Sequence, residues 1–182
     1  LYLPEDADDF SRVRERYYRE QINYSGQSTE KIIIDKLPLN LLETAFIRKA
    51  FPTSKIILGV RHPLDCVFSS WVQDFEINVA MAHFTNLKKS TDLYDLGMDI
   101  FFLVNKLLCL NYHIVRYENL VQNLEKEIKK LLSYLDVEWQ DDLNSYRDTA
   151  LNRGQINTPS YSQVINPINQ LAKFRYKKYI QH

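Results

Sequence analysis

Arg61 and Ser69 stand eight residues apart in "KIILGVRHPLDCVFSSW", residues 55–71, with a proline between them. A guanidinium presents a planar fork of donors suited to phosphate or carboxylate, and a hydroxyl adds a neutral donor. Together they are equipment for holding an oxyanion. Two further candidates also follow short apolar runs: Lys36 after "IIID" and Tyr117 after "HIVR". If those runs are parallel strands of one sheet, two cations and a phenol meet beyond its carboxyl edge, where ligands of open α/β sheets bind. Taken singly, each residue also suits an ordinary solvent-reaching strand end, and a lone helical serine commonly bonds its own backbone. The joint occurrence is what points to a site.

These side chains need an α/β frame, and the sequence supplies its elements. The run Ile56 to Val60 is short, β-branched and without alternation, which predicts a parallel strand covered on both faces. Pro63 then suits a first helical turn, predicting a helix over 63–74. "IIID" reads as an earlier strand, and "LNLLETAFIRKAF" as the helix between the two, giving a βαβ unit. "DDFSRVRERYYREQI" places Phe10, Val13 and Tyr17 on one helical face. Leu93, Leu96, Ile100, Val104 and Leu107 predict a long buried helix, and "HIVR" a third strand. Val121, Leu124, Ile128, Leu131 and Leu135 form one stripe of a further helix, with Glu125 and Lys129 as a supporting i,i+4 pair. Residues 75–91 read as surface loop, with "FEINVAMAHFTNL" a candidate acceptor-side segment.

Composition limits the partners. The 182 residues hold 23 basic and 23 acidic side chains, a formal net charge of zero, with 45% hydrophobic content. A single globular domain with a real core is expected, without the basic excess of a nucleic-acid or anionic-membrane binder. Cys66 and Cys109 read as reduced core thiols. His62, His83, His113 and His182 share no chelating spacing, so no metal is expected. The most apolar segment, "IFFLVNKLLCLNY", is too short to span a bilayer. No targeting segment is visible, which makes the cytoplasm the default compartment.

The block "IIIDKLPLNLLETAFIRKAFPTSKIILGVRHPLDCVFSSW" resembles the centre of the sulfotransferases, as do "HIVRYENLVQNLEKEIKKLLSYLDVEW" and "INTPSYSQVINPINQLAKFRYKKY". The likeness is nearest to bacterial sulfotransferases linked to tetratricopeptide repeats and then to tyrosylprotein sulfotransferases. It implies a three-layer α/β fold with a parallel central sheet flanked by helices, P-loop-like, helix-rich and shortened at the amino end. It also implies transfer of a sulfuryl group from 3'-phosphoadenosine 5'-phosphosulfate (PAPS) to a hydroxyl of a protein tyrosine, carbohydrate or small molecule. Adenosine 3',5'-bisphosphate (PAP) would be the product.

By the same resemblance, Arg61 and Ser69 would hold the 3'-phosphate and Tyr117 would contact the nucleotide. Lys36 in "DKLP" would stabilise charge on the leaving phosphate. Ser160 in "TPSYSQV" and Lys173 in "AKF" would belong to a late loop over the nucleotide, with Ser160 near the transferring group. Gln73 stands where the tyrosylprotein branch has a second arginine, which loosens the link to tyrosine as acceptor. The family's 5'-phosphosulfate loop and catalytic base are expected upstream of residue 1. "YSGQST", residues 24–29, lacks the strand-then-helix setting that a phosphate loop requires. A non-catalytic nucleotide- or protein-binding module on the same scaffold is the alternative. A nucleotide kinase is disfavoured by the lack of a Gly-Lys-Ser/Thr signature.

Overall fold

The computed structural model describes residues 7–26, 32–73, 81–140 and 172–179. They fall into two compact units, one drawn from Leu1–Ile56 and Leu96–Asn111, the other from Ile57–Asp95 and Tyr112–His182.

The first unit is helical. Helix α1, Ala7–Ser25, packs on α2, Thr44–Ala50, through an aromatic seam in which Phe10 meets Phe46 at 6.0 Å and Tyr17 meets Phe51 edge-on at 5.1 Å. The Phe10, Val13 and Tyr17 face thus turns inward as its spacing requires. Arg14 Nη1 donates to the Ala50 carbonyl at 2.8 Å, satisfying an acceptor that the end of α2 leaves open. Residues 32–37 differ from expectation: they carry no regular secondary structure, and Ile32 and Ile34 are 75% and 78% exposed. An apolar run becomes a strand only where a neighbour pairs its backbone and a layer covers its side chains. A 3-10 turn, Pro38–Leu41, follows.

The long helix α4, Leu87–Leu108, enters both units. Its expected stripe is rotated. Phe101 is 1% exposed and Val104 is buried with it, whereas Leu96 and Leu107 face outward. Gly97 explains the rotation, because a Cβ there would stand 2.9 Å from Leu41 Cδ2 and the close approach of the Pro38–Leu41 turn selects that face. Cys109, in the left-handed region at φ 47°, ends the helix, and Asn105 Oδ1 accepts the Leu110 N–H. Cys109 is exposed, not the core thiol that the sequence suggests. The helix also starts earlier than expected. Asn86 Oδ1 accepts the Lys89 N–H, and the 3-10 turn Met81–Thr85 precedes it, so 81–91 is ordered structure in place of loop. Residues 75–80 of the candidate acceptor segment lie outside the described residues.

The second unit holds the sheet, except that Ile56 groups with the first. Strands β1, Ile56–Val60, and β2, Tyr112–Arg116, pair in parallel in the order β1-β2, flanked by helices in an α/β arrangement. Leu58 is buried while Ile57 is 42% exposed, so β1 is not covered equally on both faces. Helix α3, Pro63–Trp71, leaves β1 after two residues. After β2 come the single turn α5, Tyr117–Leu120, and α6, Leu124–Leu135. Asn123 caps α6 by accepting the Lys126 N–H, and the stripe of Leu124, Ile128, Leu131 and Leu135 turns inward. Glu125 and Lys129 form the anticipated pair on its outer face.

Candidate functional site

The site assembles where β1 hands the chain to α3. A strand that ends just before Arg61 and a helix that starts at Pro63 bring residue 69 back over the strand end after two turns. Arg61 Nη1 accordingly donates to Ser69 Oγ at 3.4 Å. Tyr117 opens α5 directly after β2, the neighbouring parallel strand, and its ring lies 5.1 Å beneath the guanidinium. A cation over an aromatic face is held by the ring quadrupole without using any of its donors. Three of the residues singled out by type and spacing therefore share one edge of the sheet.

Four residues that the sequence did not single out complete the arrangement. Asp65, 1% exposed, holds its Oδ2 3.8 Å from Arg61 Nη2 across one helical turn. Its Oδ1 accepts the Tyr176 N–H at 2.8 Å. Glu118 Oε1 accepts the His62 N–H at 2.8 Å, tying the end of β1 to α5. The His62 ring stacks on Tyr176 with centroids 4.5 Å apart and planes 16° from parallel. Tyr176 belongs to the closing 3-10 turn, Arg175–Lys178, which follows Phe174 in a left-handed conformation at φ 54°. Ahead of that turn, the Ala172 carbonyl accepts from Arg61 Nη2. Lys173 is the next residue, and its Nζ lies 5.4 Å from the Phe174 ring centre. The one readable cue was Asp65 in "RHPLD", four residues beyond Arg61 at helical spacing.

The electrostatics suit an anion. Arg61 Nε is buried and, among the described residues, has no hydrogen-bond partner; the same is true of His62 Nδ1. A guanidinium with donors withheld from water and not spent on protein is an uncompensated cost that an oxyanion would relieve. Behind the arginine, burial pushes the Cys66 thiol up, against the lowering influence of Arg61 and with a smaller contribution from Asp65 in the same direction as burial. Cys66 is a neutral neighbour of the site at physiological pH.

The other predicted residues are placed differently. Lys36 is exposed and belongs to the first unit, beside Asp35, whose carboxylate accepts from Tyr17 Oη at 3.1 Å and from Asn40 Nδ2 at 3.4 Å. Ser160 lies outside the described residues. Among the described residues no group of histidine, cysteine and carboxylate side chains could hold a metal ion, and no helix is long and apolar enough to cross a membrane.

Comparison with known proteins bears on this geometry. An uncharacterized protein of Aquifex aeolicus (strain VF5) is 28% identical over 169 residues, which cover 91% of this chain and 22% of the relative. The chain thus spans less than a quarter of the length of that relative. The model of the sulfotransferase family matches residues 4–141, well over half of the chain and inclusive of β1, α3, β2 and α6. With most of its length matched by that family's model, this chain belongs to the sulfotransferase family.

Proposed function

We propose that the Arg61 edge binds the 3'-phosphate of PAPS, and that the protein of which this chain is part transfers the sulfuryl group to a hydroxyl acceptor. One observation carries this reading: the guanidinium held against Ser69 Oγ keeps a buried Nε that has no hydrogen-bond partner among the described residues. A guanidinium with a donor to spare and the hydroxyl beside it offer an oxyanion charge-assisted hydrogen bonds, stronger than neutral ones. Tyr117 supports the guanidinium from below, and Lys173 follows Ala172, whose carbonyl Arg61 holds, in the closing segment.

Sulfuryl transfer, like phosphoryl transfer, asks a protein for alignment and charge neutralisation more than for covalent chemistry. The acceptor oxygen forms its bond to sulfur as the bond between sulfur and the bridging oxygen of the 5'-phosphate breaks. The electron pair stays on that oxygen, and the acceptor proton passes to a base. In this reading Lys36 stabilises the charge growing on the leaving phosphate, with Ser160 beside the transferring group. A donor aimed at charge that develops only in the transition state raises turnover and not ground-state affinity. Lys36→Ala therefore lowers kcat for transfer of labelled sulfuryl from PAPS about 10²–10³-fold, with PAP affinity essentially kept. A variant that loses PAP affinity in step with turnover contradicts this role for Lys36. Failure of the full-length protein to transfer sulfuryl to any hydroxyl acceptor contradicts the enzymatic reading and favours a binding module.

A further inference from the structure

We propose that Asp65 is a positioning residue that couples nucleotide binding at Arg61 to docking of the segment 172–179. The inference rests on the reading of Arg61 as the 3'-phosphate site. Asp65 is a carboxylate almost sealed from solvent, and burial of such a charge is tolerated only with compensation. Its two oxygens are divided between two tasks. Oδ1 takes the backbone N–H of Tyr176, 111 residues along the chain, while Oδ2 has no hydrogen bond among the described residues and faces Arg61 Nη2 at 3.8 Å. Arg61 Nη2 in turn donates to Ala172, so the guanidinium and the carboxylate each hold one end of the same closing segment.

This arrangement makes the segment and the arginine one mechanical unit. Docking holds the guanidinium through Nη2, while Nη1 stays against Ser69 Oγ and the ring of Tyr117 lies on its face. Three ring contacts seal the same interface: Tyr176 on His62, Phe174 against the edge of His62, and Phe68 on Tyr179 at 4.5 Å. Anion binding that needs an ordered Arg61 favours the docked segment, and by linkage the docked segment favours the anion to the same degree. Coupling therefore runs in the positive sense. A segment that merely blocked the arginine would couple negatively.

The test measures PAP affinity by calorimetry and amide hydrogen exchange at 172–179, with and without PAP. In the parent, PAP slows exchange across the segment. Asp65→Ala speeds that exchange and weakens PAP about tenfold, whereas Asp65→Asn, which still offers an oxygen to the Tyr176 N–H, restores protection and stays within about fivefold of the parent. Tyr176→Ala, which removes the stack on His62, tests the same coupling if Asp65→Ala does not fold: it also loosens the segment and weakens PAP. PAP affinity that is unchanged or improved in a variant with a loosened segment overturns the coupling. Absence of PAP binding by the parent overturns the nucleotide reading itself and the coupling with it.

Discussion

Charge and burial at single residues decide what this chain can do chemically, and two pairs of side chains make that measurable. Cys66 and Cys109 are both free thiols, but Cys66 is partly buried with its thiol pushed up by desolvation, whereas Cys109 is exposed at a helix end. Since only the thiolate alkylates, iodoacetamide at pH 8 labels Cys109 more than about tenfold faster than Cys66, read by peptide mass spectrometry. Equal rates contradict the burial assigned to Cys66. Tyr17 offers a pH test. Burial, followed by the charge of Asp35 and the hydrogen bond to it, raises its phenol from 10.0 to about 12. The folded state thus holds this proton more tightly than the unfolded chain. Its contribution to stability is full below pH 10, and is lost as pH rises through about 12. Tyr17→Phe removes that share of the alkaline loss of stability between these limits; identical profiles for parent and variant contradict it. Arg61, Ser69 and Tyr117 were legible because residue type and spacing alone place them at strand ends and two helical turns apart. Asp65 offered only its i+4 spacing from Arg61, a weak cue, because a carboxylate in the first turn of a helix looks like an ordinary partner of the helix dipole.

Elements formed where the sequence carried its own boundary chemistry and failed where it relied on neighbours. Helix α6 has a cap, a stripe and a pair on its outer face, all readable from 121–135, and it ends on Asp136 in the left-handed region. Asn123→Ala removes its one side-chain cap and costs about 1 kcal/mol in chemical denaturation. A variant as stable as the parent contradicts the cap. In α4 the leucine spacing indicated one face and the structure buries another, because Gly97 admits Leu41 and turns Phe101 inward. Phe101→Ala therefore costs about 3–5 kcal/mol, while Leu107→Ala on the exposed face costs under about 1 kcal/mol. Comparable losses restore the stripe that the leucines suggested. Residues 32–37 show the converse, since β-branched composition alone does not make a strand without a partner. The early start of α4 at Leu87 had a readable cue in Asn86, a capping residue three positions ahead of the N–H it satisfies.

At the scale of the molecule, a chain of zero net charge concentrates its useful positive charge at one sheet edge, where local geometry replaces a general field. The α/β class, the family and the meeting of Arg61, Ser69 and Tyr117 at one sheet edge followed from the sequence. The closing segment's hold on α3 did not, because contacts 111 residues apart leave no periodic trace. The central claim is that Arg61 receives a nucleotide 3'-phosphate. Titration calorimetry of PAP and of adenosine 5'-monophosphate into the parent and into Arg61→Ala tests it most directly, because the two ligands differ only by that phosphate. The account predicts that the parent prefers PAP and that Arg61→Ala weakens PAP at least about thirtyfold, with the monophosphate little changed, so that the preference collapses. A preference for PAP that survives intact in a folded Arg61→Ala variant would place the 3'-phosphate elsewhere and contradict the account.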